Sequence, residues 1–242
     1  MTGVQTCALP ICNSNLKRTN SELDSFVYKA SHDLRSPLVS LLGLIEISKN
    51  EKDFNKVKQY LLLKEKSVKK LDALILDILD LSKNARLDVE PSKIDFELLI
   101  NEIFNNYNYL EDFNKIARKI VVEGSVLYYS DIRRLNIVLN NLISNSIRYA
   151  DIGKSNPFID IEIKLYPSHA FIKIKDNGQG IRQEHLKRIY DMYFRANERN
   201  TGSGLGLYIV KETLAKLKGT VEMASEYMEW TEFQLIIPNM KA

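Results

Sequence analysis

The chain has 242 residues, 45% of them apolar, enough for two modest domains with buried cores. Its 34 basic and 31 acidic side chains leave a formal charge of only +3, with no basic block or aromatic–basic interleaving, which argues against a nucleic-acid partner. No run approaches the roughly 18 to 20 apolar residues of a membrane span. The only cysteines, Cys7 and Cys12, make neither a disulfide framework nor a zinc spacing.

The N-terminal stretch MTGVQTCALPIC carries no charge and so lacks the basic n-region of a signal peptide. From about Asn13 to Asn50 the pattern predicts one long helix. Val27, Ala30, Leu34, Leu38, Leu41 and Ile45 fall at spacings of three and four, the signature of a bundle seam. His32 lies two residues from both Ala30 and Leu34, which at about 100° per residue turns it about 200° from each and into solvent. Pro37 removes a donor from the helix interior at a cost of roughly 3 kcal/mol, and a helix that bears this beside an exposed histidine is expected to use the distortion. After a polar break at Asn50 to Asp53, a second helix runs from Phe54 to about Asn84. Its seam is Val57, Leu61, Val68, Leu71, Ile75 and Ile78, interrupted by Lys64. Two such helices bury their seams poorly alone, and a dimer forming a four-helix bundle would do better. The plainer alternative is a hairpin packed on the rest of its own chain.

Arg86 to Ser92, with Pro91, reads as a linker, so residues 13–85 and 86–242 are expected to be separate domains. A short strand is predicted at Lys93 to Phe96, a helix at Leu98 to Leu110, and short strands at Lys119 to Glu123 and Val126 to Tyr129. DIRRLNIVLNNLISNSIRYA, Asp131 to Ala150, is an amphipathic helix through Ile132, Leu135, Leu139, Leu142 and Ser146 or Ile147, with Ser130 or Asp131 as N-cap. Asn141 and Asn145 share one face. Such amides can offer oxygens to a hard cation such as Mg²⁺ and N–H groups to phosphates; the plain reading is a polar stripe. Arg148 and Tyr149 lie one turn on. Phe158 to Tyr166 and Ala170 to Lys175 alternate as paired strands, and HAFIKIKD ends at Asp176. Asp176, Gly178 and Gly180 read as D-x-G-x-G, a carboxylate that can accept the exocyclic amino group of adenine beside glycines that allow close approach; DNG is also a common turn. Gly202, Gly204 and Gly206 open a helix with Leu207, Val210, Leu214 and Leu217 on one side, a ready phosphate site. It is neither a Walker A loop nor a Rossmann fingerprint. Thr220 to Ala224 and Thr231 to Ile237 form a terminal hairpin. Helices mixed with antiparallel strands predict an α+β sandwich with helices on one face.

SHDLRSPL, Ser31 to Leu38, resembles the H-box of bacterial sensor histidine kinases. The Asp131–Ala150 helix resembles their N-box, and IYDMYFRA, Ile189 to Ala196, their F-box. With the two glycine motifs these stand in the family's order and cover about Phe26 to Pro238. The resemblance implies a HisKA-type helical hairpin, forming a dimeric four-helix bundle, followed by a GHKL-type α/β sandwich that binds ATP. It implies that His32 accepts a phosphoryl group from Mg·ATP and that Asp33 orients or deprotonates the imidazole. Asn145 would ligate Mg²⁺, Asn141 and Arg148 would contact phosphates, and Tyr149 would pack on adenine. Asp176, Gly178 and Gly180 would hold the base, and Gly202, Gly204, Leu205 and Gly206 the phosphates, under a lid from about Arg182 to Ser203. Arg148 stands where lysine is frequent, which keeps the charge and changes the geometry. Ser36 stands where threonine or asparagine is usual in the family's phosphatase motif.

The implied partners are a second copy of the chain, a response-regulator receiver and an upstream sensor domain. The core is expected to be cytoplasmic, and the upstream region of the full-length protein is where a membrane anchor would lie. TGVQTCALPI is itself similar to a translated sequencing-adapter oligonucleotide, so residues 1–12 are read as extraneous. Two other classes are a non-kinase GHKL ATPase, which has no place for the helix pair bearing His32, and a catalytically dead dimeric scaffold, which has no need of His32, Asn145, Asp176 and the loop glycines together.

Overall fold

The computed structural model describes the backbone of residues 8–196 and 202–241, with side chains from residue 27 onward. It divides into two compact units, Met1–Leu76 and Asp77–Ala242.

The first unit holds helix α1, Ala8–Ser48, and most of α2, Phe54–Arg86. The short connection makes them antiparallel neighbours, and the Asp53 carboxylate caps α2 by accepting from the Asn55 N–H at 2.8 Å. Ala30 and Pro37 are buried, and Leu34, Leu41 and Leu44 half-buried. That stripe differs from the expected seam. Val27, Leu38 and Ile45 are exposed, because one step along a helix turns a side chain by about 100° and α1 carries two adjacent apolar stripes. On α2, Leu61, Val68 and Ile75 are likewise exposed at seven-residue spacing, while Leu74 is buried. The helix continues through Pro37, whose ring is buried.

The division falls inside α2, ahead of the expected linker, because the end of this helix is held by one side chain of the second unit. Arg134 is 3% exposed. Its Nε donates to Asn84 Oδ1 at 3.0 Å, and its two Nη atoms donate to the carbonyls of Leu87 at 2.6 Å and Asp88 at 3.0 Å. A planar guanidinium thus satisfies carbonyls left open at a helix C-terminus. Its counter-ion is Asp131, the N-cap of α4, Ile132–Arg148. Burial alone would raise the Asp131 carboxyl, but the backbone N–H groups of Arg134 and Glu90 and the Arg134 guanidinium outweigh it and hold the group below the usual range.

A two-stranded ribbon pairs β1, Ser92–Lys93, with β3, Tyr129–Ser130. Phe96, expected to end a strand, instead opens helix α3, Phe96–Asn105, because Asp95 caps it by accepting from the Leu98 N–H at 3.0 Å. A 3₁₀ turn follows at Glu111–Lys115. The main sheet has the order β2–β4–β5–β7–β6: Ala117–Glu123, Phe158–Leu165, His169–Asp176, Trp230–Pro238 and Thr220–Glu226. The β2–β4 pair is parallel, a feature the expectation of antiparallel strands did not include, and the others are antiparallel. One face packs α3, α4 and α6, Gly206–Lys216, around a core that includes Leu139, Ile161, Ile172, Leu214 and Leu235. A short helix α5, Gln183–Leu186, leaves the sheet after Asp176.

Candidate functional site

Strand β5 sends Ala170, Ile172 and Ile174 into the core, and the same period of two carries Asp176 inward at the strand end. Asp176 is 5% exposed. Its Oδ2 accepts from Ser146 Oγ at 2.8 Å and its Oδ1 from the Gly178 N–H at 3.0 Å. Burial raises its carboxyl above the usual range; the Gly178 and Ser146 donors and the charge of Lys154 oppose that. Ser146 comes from the core face of α4, in line with Leu135, Leu139 and Leu142.

The D-x-G-x-G turn is laced to its surroundings. The Gln179 N–H donates to the Tyr149 carbonyl at 3.0 Å. A Cβ on Gly178 would collide with that same carbonyl oxygen, so only glycine fits. Gly180 has φ +59 and lies on the Glu226 backbone. Tyr149, expected to face the base, therefore also fixes this turn through its main chain.

On the neighbouring flank of α4, Asn141 and Asn145 are half-buried and Arg148 is exposed. Asn141 Nδ2 donates to the Ile137 carbonyl at 2.9 Å. Its Oδ1 faces the start of α6, where a Cβ on Gly206 would lie 2.6 Å away. A Cβ on Gly202 would lie 2.8 Å from Arg148 Nη1. The structure thus gathers Asn141, Arg148, Gly202 and Gly206. Leu205, the N-cap of α6, has no capping side chain and is fully buried, so the first N–H groups of α6 have no side-chain cap and can receive an anion. The Tyr193 N–H donates to the Gly204 carbonyl at 2.9 Å, and Arg195 Nη2 to the Ser203 carbonyl at 3.1 Å, joining the aromatic segment to the glycine loop. Of the expected lid, residues 197–201 lie outside the described residues.

Among the described residues no cluster of three or more His, Cys, Asp or Glu could cage a metal. The half-buried Asn145 offers one amide oxygen, a donor that fits a hard cation arriving with phosphate and water ligands.

His32, Asp33 and Ser36 lie on α1, in the first unit. The His32 side chain is 72% exposed, and its Nδ1 lies 3.2 Å from Asp33 Oδ1. Ser36 is exposed. Three further residues around the site carry no motif signal in the sequence. Ser146 was counted with the apolar seam, although a hydroxyl on the core face of a helix needs a buried partner. Asp77 receives the Ser203 hydroxyl at the glycine loop, and burial raises its carboxyl. Lys154 donates to three carbonyls around the D-x-G-x-G turn. A hollow of 490 Å³ on the open sheet face, lined by Glu162, Lys164 and Lys173 among others, contains none of the expected site residues.

Residues 22–86 match the family described as "His Kinase A (phospho-acceptor) domain", and residues 130–241 match "Histidine kinase-, DNA gyrase B-, and HSP90-like ATPase". The chain belongs to the histidine kinases. This kinase core is 31% identical to the autoinducer 2 sensor kinase/phosphatase LuxQ of Vibrio vulnificus, over 93% of the core and 28% of LuxQ. It is 29% identical to the sensor protein kinase WalK of Staphylococcus haemolyticus, over 92% of the core and 38% of WalK. It therefore spans well under half the length of these relatives. The solved Acinetobacter baumannii histidine kinase AdeS superposes with a TM-score of 0.68 at 25% identity, covering 87% of the core and 98% of that chain. ThkA, solved in complex with the response regulator TrrA, shares the fold with a TM-score of 0.73 at 18% identity, covering 98% of the core and 68% of that chain. Among the described residues no helix is long and apolar enough to cross a membrane.

Proposed function

We propose that this core transfers the γ-phosphoryl group of Mg·ATP to His32 and then to an aspartate of a response-regulator receiver. The observation that carries the reading is the His32–Asp33 pair on an exposed helix face, in a chain that also holds an ATPase fold. An ionised carboxylate can only accept, so Asp33 selects the tautomer with the proton on Nδ1. The Nε2 lone pair is then free to attack the γ-phosphorus. The new N–P bond forms as the bridging P–O bond breaks, and ADP leaves with that electron pair. Asp33 stabilises the positive charge that develops on the ring and can take its proton.

On the nucleotide side, Asp176 accepts the adenine amino group, and Asn141, Arg148 and the amides at Gly202, Gly204, Leu205 and Gly206 hold the phosphates. Asn145 would hold Mg²⁺, which neutralises phosphate charge in the transition state. Most of the rate then comes from positioning and charge neutralisation. Residues 13–85 serve as the phosphoacceptor hairpin and 86–242 as the nucleotide domain, with the end of α2 contributing to the latter. The exposed Leu38 and Ile45 of α1 and Leu61, Val68 and Ile75 of α2 support a homodimer, since contiguous apolar surface marks an interface. An upstream sensor would set the activity.

The test is transfer of label from γ-labelled ATP. Acid-labile, base-stable label is expected on the wild type and absent from His32→Gln, which should keep its nucleotide affinity. Label on His32→Gln equal to wild type would overturn the assignment. ATP hydrolysis without protein label would instead mark a plain ATPase, and neither activity a scaffold.

A further inference from the structure

We infer that Lys154 is a positioning residue of the nucleotide site, an internal cation that holds the adenine-reading turn in place; this rests on Asp176 receiving adenine. Lys154 lies in the loop between α4 and β4 and is half-buried. Its ammonium donates to the carbonyls of Met228 at 2.8 Å, Glu229 at 2.9 Å and Gly178 at 3.3 Å. An ammonium has three N–H donors, and here all three are spent on main chain.

The acceptors come from two separate segments. Gly178 belongs to the turn that follows Asp176; Met228 and Glu229 belong to the β6–β7 turn. The same two segments are joined by the Met228 N–H, which donates to the Gln179 carbonyl at 2.6 Å. They also meet where Gly180 lies against Glu226. Carbonyls converging from two turns repel one another through their dipoles, and the ammonium turns that repulsion into attraction. It thereby fixes Gly178, whose N–H orients Asp176 Oδ1. The charge of Lys154 also favours the Asp176 carboxylate.

The effect belongs to the base side of the site. Lys154→Ala should therefore weaken adenosine, ADP and ATP by the same factor, about tenfold, the equivalent of about 1.4 kcal/mol. Arg148→Ala, on the phosphate side, should weaken ATP and leave adenosine nearly unchanged. Lys154→Ala should also move the low-pH loss of adenosine binding to higher pH, because the carboxylate loses its favourable charge. Propylammonium chloride should restore adenosine binding to Lys154→Ala, and tetramethylammonium chloride, which has no N–H, should not at equal ionic strength. Lys154→Met keeps the apolar stem and serves as the second variant if the alanine protein folds poorly. Unchanged adenosine affinity, a loss confined to ATP and ADP, or a loss with neither pH shift nor rescue would each overturn the proposal. Failure of the wild type to bind any of the three ligands would instead sink the ATP reading itself.

Discussion

Ser146→Ala tests whether Asp176 is built as a charged acceptor. Both groups are almost fully buried, at 2% and 5% exposure. The carboxylate has two hydrogen-bond donors, Ser146 Oγ at 2.8 Å and the Gly178 N–H at 3.0 Å. A donor to a charged group contributes about 1.5–3 kcal/mol. Removing one of two from a buried carboxylate should lower stability by that amount, and for a protein of this size each kcal/mol corresponds to about 2–4 °C in Tm. The pH dependence has two opposite limbs. Burial raises the folded carboxyl above its unfolded value, so the stability from its protonated form is full at low pH and is lost as pH rises through the folded value. Under the proposed role of Asp176, nucleotide binding uses the ionised form and should be lost as pH falls. Ser146→Ala removes a group that favours ionisation, so both limbs should move to higher pH. Ser146→Thr, which keeps the hydroxyl, should stay close to wild type. In an Asp176→Asn background, which should itself bind nucleotide poorly, Ser146→Ala should cost clearly less stability. Thermal denaturation and ATP titration calorimetry across pH measure all of this. A Ser146→Ala protein with wild-type Tm and an unmoved acid limb would refute the reasoning.

Gly178→Ala should abolish measurable ATP binding while costing about 1–3 kcal/mol of stability, as overpacking does, because the added methyl strikes the Tyr149 carbonyl rather than a mobile side chain; calorimetry decides it. Arg134→Met should cost about 3–5 kcal/mol by leaving Asp131 buried without its partner, read in urea melts. Asp131 is held below its ordinary range, so its stabilisation is present above that range and lost as pH falls through the folded value; Arg134→Met should flatten that dependence. Asp33→Asn should cut autophosphorylation by about 10²- to 10⁴-fold, the range of a general base. Ser36→Ala should spare autophosphorylation and slow dephosphorylation of a phosphorylated receiver, and equal rates for it and wild type would remove Ser36 from that step.

Elements with a strong period were legible from residues alone. Helix α4, the paired strands ending at Asp176 and the terminal hairpin lie where the pattern places them. The errors have local causes. Asp95 was read inside a strand although it caps α3, because the hydrophobic run around it suits either element. The parallel β2–β4 pair joins residues far apart in sequence, which period does not report. On α1, two apolar stripes one residue apart cannot be told from one seam without knowing which faces α2. In the site, Asn141, Arg148, Gly202 and Gly206, which the structure brings together, were legible from their motifs. Ser146, Lys154 and Asp77 were not, because each acts on a partner from another segment.

The guanidinium of Arg134 also dictates where this protein can be cut. A nucleotide-binding fragment started at Pro91, the natural choice from the linker sequence, would delete Asn84, Leu87 and Asp88 together. It would expose a cation and the end of α4 where the intact chain is sealed. A fragment started at Asp77 keeps those acceptors, the Ser203–Asp77 contact and the bond from Lys216 Nζ to the Ala85 carbonyl at 3.3 Å. The last turns of a helix named for the phosphoacceptor half are, for expression and purification, the first element of the other half.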